Sequence, residues 1–101
     1  MNKLQHLLVK LAEEGSEIAQ IALKTSQFGP DERMPGQPHS NFDRCHQELD
    51  DLMAIIEMLN ENENYNFNYS PSRDRIEAKK TKVEKYRDYS IHLGLVDGEQ
   101  H

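Results

Sequence analysis

The chain has 101 residues, a net charge of -6 and a mean hydropathy of -0.88, which favours one domain over residues 1–101. The acidic balance argues against any binding to a nucleic-acid polymer that depends on a basic face. No segment has the length of a membrane span, and the amino terminus lacks the pattern of a signal peptide. The lone Cys45 cannot form an internal disulfide, which fits a reducing compartment. We therefore expect a cytoplasmic protein without membrane contact.

The first predicted helix runs from about residue 2 to residue 28 and ends at Gly29. Its apolar residues recur at helical spacing: they are Leu4, Leu7, Leu8, Leu11, Ile18, Ile21 and Ala22. Glu14 lies within this stripe, and Glu17 lies at its edge. Gly15 weakens the helix beside them, so we expect a close approach of the backbone to a metal or a neighbouring helix there.

Residues 29–39 contain several prolines and glycines and are predicted to be a loop. The second helix is predicted over about residues 41–60, with Ser40 as its N-cap and Asp43 completing a variant of the capping box. Its apolar stripe comprises Cys45, Leu49, Leu52, Met53, Ile56 and Leu59. Cys45 is read as a small core residue rather than a nucleophile, since no positive neighbour is evident to stabilise a thiolate.

Four carboxylates lie on these two apolar faces as i, i+3 pairs, Glu14 with Glu17 and Glu48 with Asp51. Helices that pack by the stripes would face these carboxylates toward each other. Burial of ionised carboxylates without partners is costly, so the cluster would either take up protons or hold a cation. Oxygen ligands favour a hard ion, which predicts Mg²⁺ with Mn²⁺ as a substitute.

The connection over residues 61–69 alternates asparagine and glutamate with aromatic residues, and we predict a loop with its own aromatic packing. A third helix is predicted over about residues 71–93, beginning after Ser70 and ending at Gly94. Its stripe comprises Ile76, Val83, Tyr86, Ser90 and Leu93, and it is interrupted by a lysine.

That lysine, Lys79, has two possible roles. A lysine on an apolar face often extends its ammonium group to solvent. Alternatively Lys79, with Lys82 or Arg75 beside it, reaches phosphates that the carboxylate-bound metal holds. Both interpretations stay open from the sequence alone.

Three helices of this length have more apolar edge than one copy can bury. The fold class predicted is all-α, an antiparallel helical bundle completed by oligomerisation. Self-association as a two-fold dimer or a dimer of dimers is the simplest arrangement.

Two segments carry a resemblance to a known family: Glu13-Glu14-Gly15-Ser16-Glu17 and Glu48-Leu49-Asp50-Asp51. They resemble the EExxE and ExxD signatures of the MazG-like, all-α nucleoside triphosphate pyrophosphohydrolases. Phe28 and Gly29 at the end of helix one, and the lysine-bearing third helix, extend the resemblance over most of the chain. A compact, single-domain version of this fold is also of the kind that viruses of bacteria carry, which would place it in the host cytoplasm.

The resemblance implies that Glu14, Glu17, Glu48 and Asp51 bind Mg²⁺, with Glu13 as an accessory acid beside them. The reaction implied is cleavage of a nucleoside triphosphate between the α and β phosphates, releasing a monophosphate and pyrophosphate. Glu14 or Glu17 would then deprotonate the attacking water, and Lys79 and Lys82 would stabilise the outer phosphates. Base recognition is expected around residues 60–69 and 29–39.

Two other functions compete with this one. In a helical protein-interaction module the acids would be solvated faces without catalysis. In a carboxylate-bridged di-metal bundle, facing helices would each carry a Glu-x-x-His pair, and the only approximate match here is Asp43 with His46.

Overall fold

The computed structural model describes residues 1–98. Helices are the regular secondary structure of this part of the chain, and it contains no strand. The helices are α1 (Lys3–Phe28), α2 (Asn41–Glu61), a short 3₁₀ helix (Glu63–Tyr65) and α3 (Arg73–His92). The all-α prediction is therefore confirmed for this part of the chain. Two compact units are present, the first spanning Met1–Tyr69 and the second beginning at Ser70. The single-domain organisation stays a prediction.

Helix α1 begins one residue later than predicted because Asn2 is its cap. The Asn2 side chain accepts a hydrogen bond from the Gln5 backbone N–H at 2.8 Å, and the Gln5 side chain accepts one from the Asn2 N–H at 2.8 Å. This reciprocal capping box satisfies two N–H groups that the helix itself leaves without partners. At the other end, Gly29 has a φ of 96° and donates its N–H to the Thr25 carbonyl, a backbone conformation that glycine adopts without strain.

Helix α2 begins with the predicted capping box. Ser40 Oγ accepts from the Asp43 N–H at 3.1 Å, and Asp43 Oδ2 accepts from the Ser40 N–H at 3.3 Å. The backbone hydrogen bond from Ser40 is the largest cause that lowers the pKa of Asp43 below its ordinary value. Asp43 is therefore a structural carboxylate at the helix terminus.

Helices α1 and α2 pack as an antiparallel hairpin. Near the loop, the Thr25 hydroxyl lies 3.5 Å from the Cys45 sulfur, and at the far end Lys3 and Met58 line one cleft. The apolar core between the helices is small, since Leu7, Ile21 and Leu59 are its buried members. Cys45 is half-buried, as expected for a packing residue.

The outer edges of both predicted stripes stay exposed. Leu8 is 43% exposed on α1, and Leu49 and Met53 are 48% and 47% exposed on α2. Two packed helices cover only a narrow strip of each other, so the wider stripes extend past the contact. Within residues 1–98 no other helix approaches Gly15, since a Cβ there would meet nothing within 4 Å. The approach of a metal or of a helix from a second copy stays a prediction.

The connection after α2 is more ordered than a simple loop. Asn60 donates from Nδ2 to the Tyr69 carbonyl at 2.9 Å and accepts at Oδ1 from the Tyr69 N–H at 2.8 Å. Asn66 and Asn68 have φ values of 53° and 49°, the left-handed region that asparagine tolerates. The expected aromatic packing is present, with the Phe67 and Tyr69 ring centroids 6.5 Å apart.

In the second unit, α3 begins at Arg73, two residues later than predicted. Ser72, not Ser70, provides the cap, accepting from the Arg75 N–H at 3.3 Å. Much of the predicted stripe is exposed, including Val83 at 51% and Tyr86 at 57%. None of the helices described is both long and apolar enough to cross a membrane.

Candidate metal centre

Four carboxylates from the two helices of the hairpin meet at one place. One oxygen from each of Glu14, Glu17, Glu48 and Asp51 lies within 4.8 Å of the others. Spacing of i and i+3 puts each pair on one side of its helix, and the antiparallel packing of α1 on α2 brings the two sides together. The sequence predicted that these four carboxylates face each other, and their binding of a metal stays a prediction.

The cluster has an inner and an outer pair. Glu14 and Glu48 are half-buried, and while all four acids are ionised the Oε2 atom of each is inaccessible and has no hydrogen-bond partner. Glu17 and Asp51 are exposed beside them. A buried carboxylate oxygen without a partner is unfavourable, because it loses its hydration and gains nothing in exchange.

The pKa values of the inner pair respond to this arrangement. Hydrogen bonding with Glu17, which requires a proton on one of the two acids, is the largest cause that raises the pKa of Glu48, followed by desolvation. Desolvation is the largest cause for Glu14, whose pKa is also raised, followed by the charges of Glu17 and Asp51. The cluster thus favours uptake of positive charge, either as protons or as a cation.

The donor chemistry fits a hard divalent ion. All four candidate ligands are carboxylates, the type that Mg²⁺ and Mn²⁺ accept, and two of the four residues, Glu14 and Glu48, carry the orphaned oxygens. In residues 1–98 no second group of three or more potential ligands comes together in this way. Asp43 is engaged with Ser40, and His46 is exposed, so this pair contributes nothing to the centre and the Glu-x-x-His alternative has no support from it.

A cleft of about 310 Å³ adjoins the carboxylates, and three of its lining residues, Gln20, Lys24 and Arg44, were not predicted from the sequence. Its lining consists of Glu17, Gln20, Ile21, Lys24, Arg44 and Glu48. Lys24 follows Glu17 by seven residues and Arg44 precedes Glu48 by four, which are spacings that share a helix face. That periodicity was a usable signal, although only the register between the helices shows that both cations reach one cleft.

The three cations predicted to contact phosphate lie in the second unit. Arg75, Lys79 and Lys82 are exposed on α3, and their spacing places them on one face of that helix. Their contact with substrate stays a prediction. Glu13, expected as an accessory acid, forms a surface ion pair with Lys10 at 3.1 Å.

No protein-family model, curated protein or solved structure matches the chain. Fold and site together define a class, an all-α chain in which an antiparallel helical hairpin presents a cluster of four carboxylates suited to a cation. The resemblance to MazG-like enzymes therefore stays an expectation from the sequence.

Proposed function

We propose that the chain is a Mg²⁺-dependent hydrolase that cleaves a nucleoside triphosphate between the α and β phosphates. The products would be a nucleoside monophosphate and pyrophosphate. The observation that carries the proposal is the convergence of Glu14, Glu17, Glu48 and Asp51, two of which have orphaned oxygens. Such a cluster is costly to a fold unless it binds a cation, and carboxylate-held Mg²⁺ is a common means of binding phosphates.

The reaction needs few groups from the protein. Phosphoryl transfer requires an aligned water and neutralisation of the charge on the phosphate oxygens. Bound divalent ions supply that neutralisation and lower the pKa of a bound water. Glu14 or Glu17 would accept the proton from the attacking water, since α1 holds both at the cluster, and Glu48 and Asp51 would fix the position of the metal.

We also propose that the chain associates with itself. On α1, the side opposite the carboxylates carries no charged residue between Leu4 and Ser26. Leu23 lies on this side and is 72% exposed. On α2 the matching side has Phe42 and Leu49, which are 54% and 48% exposed. In an antiparallel pair these sides face the same way, so they form one apolar surface that a second copy would cover.

The experiment that tests the reaction is a product assay. Canonical and modified nucleoside triphosphates are incubated with the protein and Mg²⁺ or Mn²⁺, and the products are separated by chromatography. Monophosphate and pyrophosphate in equal amounts are expected. Release of orthophosphate with a diphosphate would contradict cleavage between the α and β phosphates.

A second candidate is an interaction module without catalysis, which the exposed apolar surface favours. The two functions differ in their response to metal. A cation that binds only the folded state raises the melting temperature with the logarithm of its concentration. Absence of both turnover and any Mg²⁺-dependent rise in melting temperature would favour the interaction module.

A further inference from the structure

The cleft beside the four carboxylates has positive charge on both of its sides. Lys24 comes from α1 and Arg44 comes from α2, and both are half-buried. Neither forms an ion pair within residues 1–98, where the ion pairs are Lys10–Glu13, Arg73–Glu77 and Lys80–Glu77. The one polar contact of the Arg44 side chain is a long one, from Nη1 to the Met34 sulfur at 3.8 Å. Two unpaired cations are therefore available inside a cleft whose neighbouring wall is acidic.

The two cations are displaced from the carboxylates in the same direction. Arg44 precedes Glu48 by four residues and Lys24 follows Glu17 by seven, so they lie roughly 6 Å and 10 Å nearer the loop end of the hairpin. Gln20 adds an amide, and the buried Ile21 adds an apolar surface between them. A ligand that spans both parts would need an anionic group next to a metal-chelating group.

We propose that Lys24 and Arg44 form an anion-binding subsite for the terminal diphosphate of a metal-chelated nucleoside triphosphate. The proposal deepens the function proposed above and rests on it. With the β and γ phosphates against the two cations, the α phosphate lies at the carboxylate cluster. The subsite thereby determines that the α–β bond, and not the β–γ bond, is presented for attack. Arg44 suits this role because its guanidinium binds phosphate oxygens in pairs.

Charge makes the two sites interdependent. The four carboxylates outweigh the two cations by two charges, so without metal the cleft repels a diphosphate. One divalent ion offsets this excess, and a second makes the cleft positive. Metal and diphosphate therefore each raise the affinity of the cleft for the other.

The test measures binding of inorganic pyrophosphate to the full chain by calorimetry, with Mg²⁺ in excess over pyrophosphate. Arg44→Gln and Lys24→Gln should each weaken binding about tenfold, the loss typical of one charge-assisted hydrogen bond. Lys3→Gln is the matched control, since it removes the same charge from α1 at the opposite end of the hairpin, and it should leave the affinity unchanged. Pyrophosphate binding by both cleft variants at wild-type strength would overturn the subsite.

Direct titration with Mg²⁺ alone separates the subsite from the hydrolase. Arg44→Gln and Lys24→Gln should bind Mg²⁺ as well as or better than the wild-type chain, because a repelling charge is removed. Weaker Mg²⁺ binding in both would show that these cations only support the fold of the cluster, and would overturn the subsite. A wild-type chain that binds no Mg²⁺ would overturn the hydrolase. If such a wild-type chain still bound pyrophosphate, and Arg44→Gln abolished that binding, the anion-binding role of the subsite would be supported without the hydrolase.

Discussion

Glu48 has a carboxylate oxygen that solvent does not reach and that no donor contacts. In the proposed site that oxygen binds metal, so Glu48→Gln removes a ligand while keeping the shape of the side chain. Loss of a residue that only hydrogen-bonds to a metal ligand lowers activity roughly 10–100-fold. Loss of a direct ligand should therefore lower Mg²⁺-dependent turnover by more than that. Steady-state kinetics with the best substrate of the product assay measures the loss.

Glu57→Gln provides the control for that experiment, because Glu57 is exposed on the same helix outside the cluster. Its turnover should match the wild type. Asp51→Asn tests the second ligand from α2 in the same way. Full activity in both Glu48→Gln and Asp51→Asn would eliminate the proposed ligand set.

The raised pKa values of Glu14 and Glu48 predict how the metal-free protein responds to pH. Both lie above the ordinary value of 4.5, so above about that pH the folded chain binds more protons than the unfolded chain. The free energy of unfolding should therefore decrease as the pH rises from about 4.5 through the raised values. Urea denaturation across this range in the presence of a chelator measures the trend.

Two further measurements sharpen the pH experiment. Glu48→Gln should reduce this decrease in the free energy of unfolding, and excess Mg²⁺ should abolish it. The neutral amide and the cation each relieve the unfavourable charge that a bound proton otherwise relieves. Asp43 acts in the opposite sense, since its pKa is lowered from 3.8, so its stabilisation is present above that pH and is lost as the pH falls through the lowered value. A metal-free stability that is constant or increases from 4.5 upward would contradict the account of the inner pair.

At the residue scale, periodicity predicted the four acids because carboxylates on apolar stripes are recognisable in the sequence alone. It did not predict that Glu14 and Glu48 are the inner pair. That distinction depends on which side of each helix turns toward the other. The presence of Lys24 and Arg44 in one cleft was not predicted for the same reason, since it depends on the register of α1 against α2.

At the scale of elements, Asn41 joins the loop to the start of α2. It is 1% exposed and donates from Nδ2 to the Gly29 carbonyl at 2.9 Å, while its N–H donates to the Glu32 carbonyl at 3.0 Å. Asn41→Ala leaves the Gly29 carbonyl without this donor, which should lower the free energy of unfolding by about 1–3 kcal/mol. Chemical denaturation measures the difference.

The control for Asn41 is Gln47→Ala, which removes an exposed amide from the same helix and should have little effect. Because the Asn41 contact fixes the end of α1 against the start of α2, Asn41→Ala should also weaken Mg²⁺ binding. Equal stability of the two variants would contradict the role of Asn41 in the hairpin.

The helices themselves were predictable to within about a turn, because capping residues and breakers mark their ends. The predicted Ser40–Asp43 capping box is confirmed. The predicted start of α3 is too early because Pro71 after Ser70 matches the usual first position of a helix, whereas Ser72 provides the cap. The ordered asparagine contacts after α2 were missed because they pair residues nine apart, Asn60 with Tyr69.

Helix α3 carries three exposed cations, Arg75, Lys79 and Lys82. If Lys79 contacts substrate phosphate, Lys79→Gln should reduce turnover several-fold and leave Mg²⁺ affinity unchanged, because the lysine is not a metal ligand. Lys80→Gln is the control, since Lys80 points elsewhere on the helix and pairs with Glu77 at 3.3 Å. Identical kinetics for the two variants would assign Lys79 to the solvent-extended alternative.

At the scale of the whole molecule, the hairpin has a carboxylate side and an apolar side. The few buried apolar residues, Leu7, Ile21 and Leu59, form too small a core to account for the apolar content of α1 and α2. Much of that content, including Leu23 and Leu49, is exposed on the side away from the acids. A sequence reveals such an excess of apolar residues, but it does not say what covers them.

Self-association gives the last prediction. Leu49→Glu places a charge in the apolar surface, where burial against a second copy would be unfavourable, so the wild type should be an oligomer and the variant should have the 11.8 kDa mass of one chain. Met58→Glu is the control, because Met58 is 40% exposed on another side of the same helix. Light scattering coupled to size exclusion measures the masses, and circular dichroism checks that both variants stay helical. A wild type that runs as a single chain at high concentration would contradict self-association and leave the carboxylate centre to function within one copy.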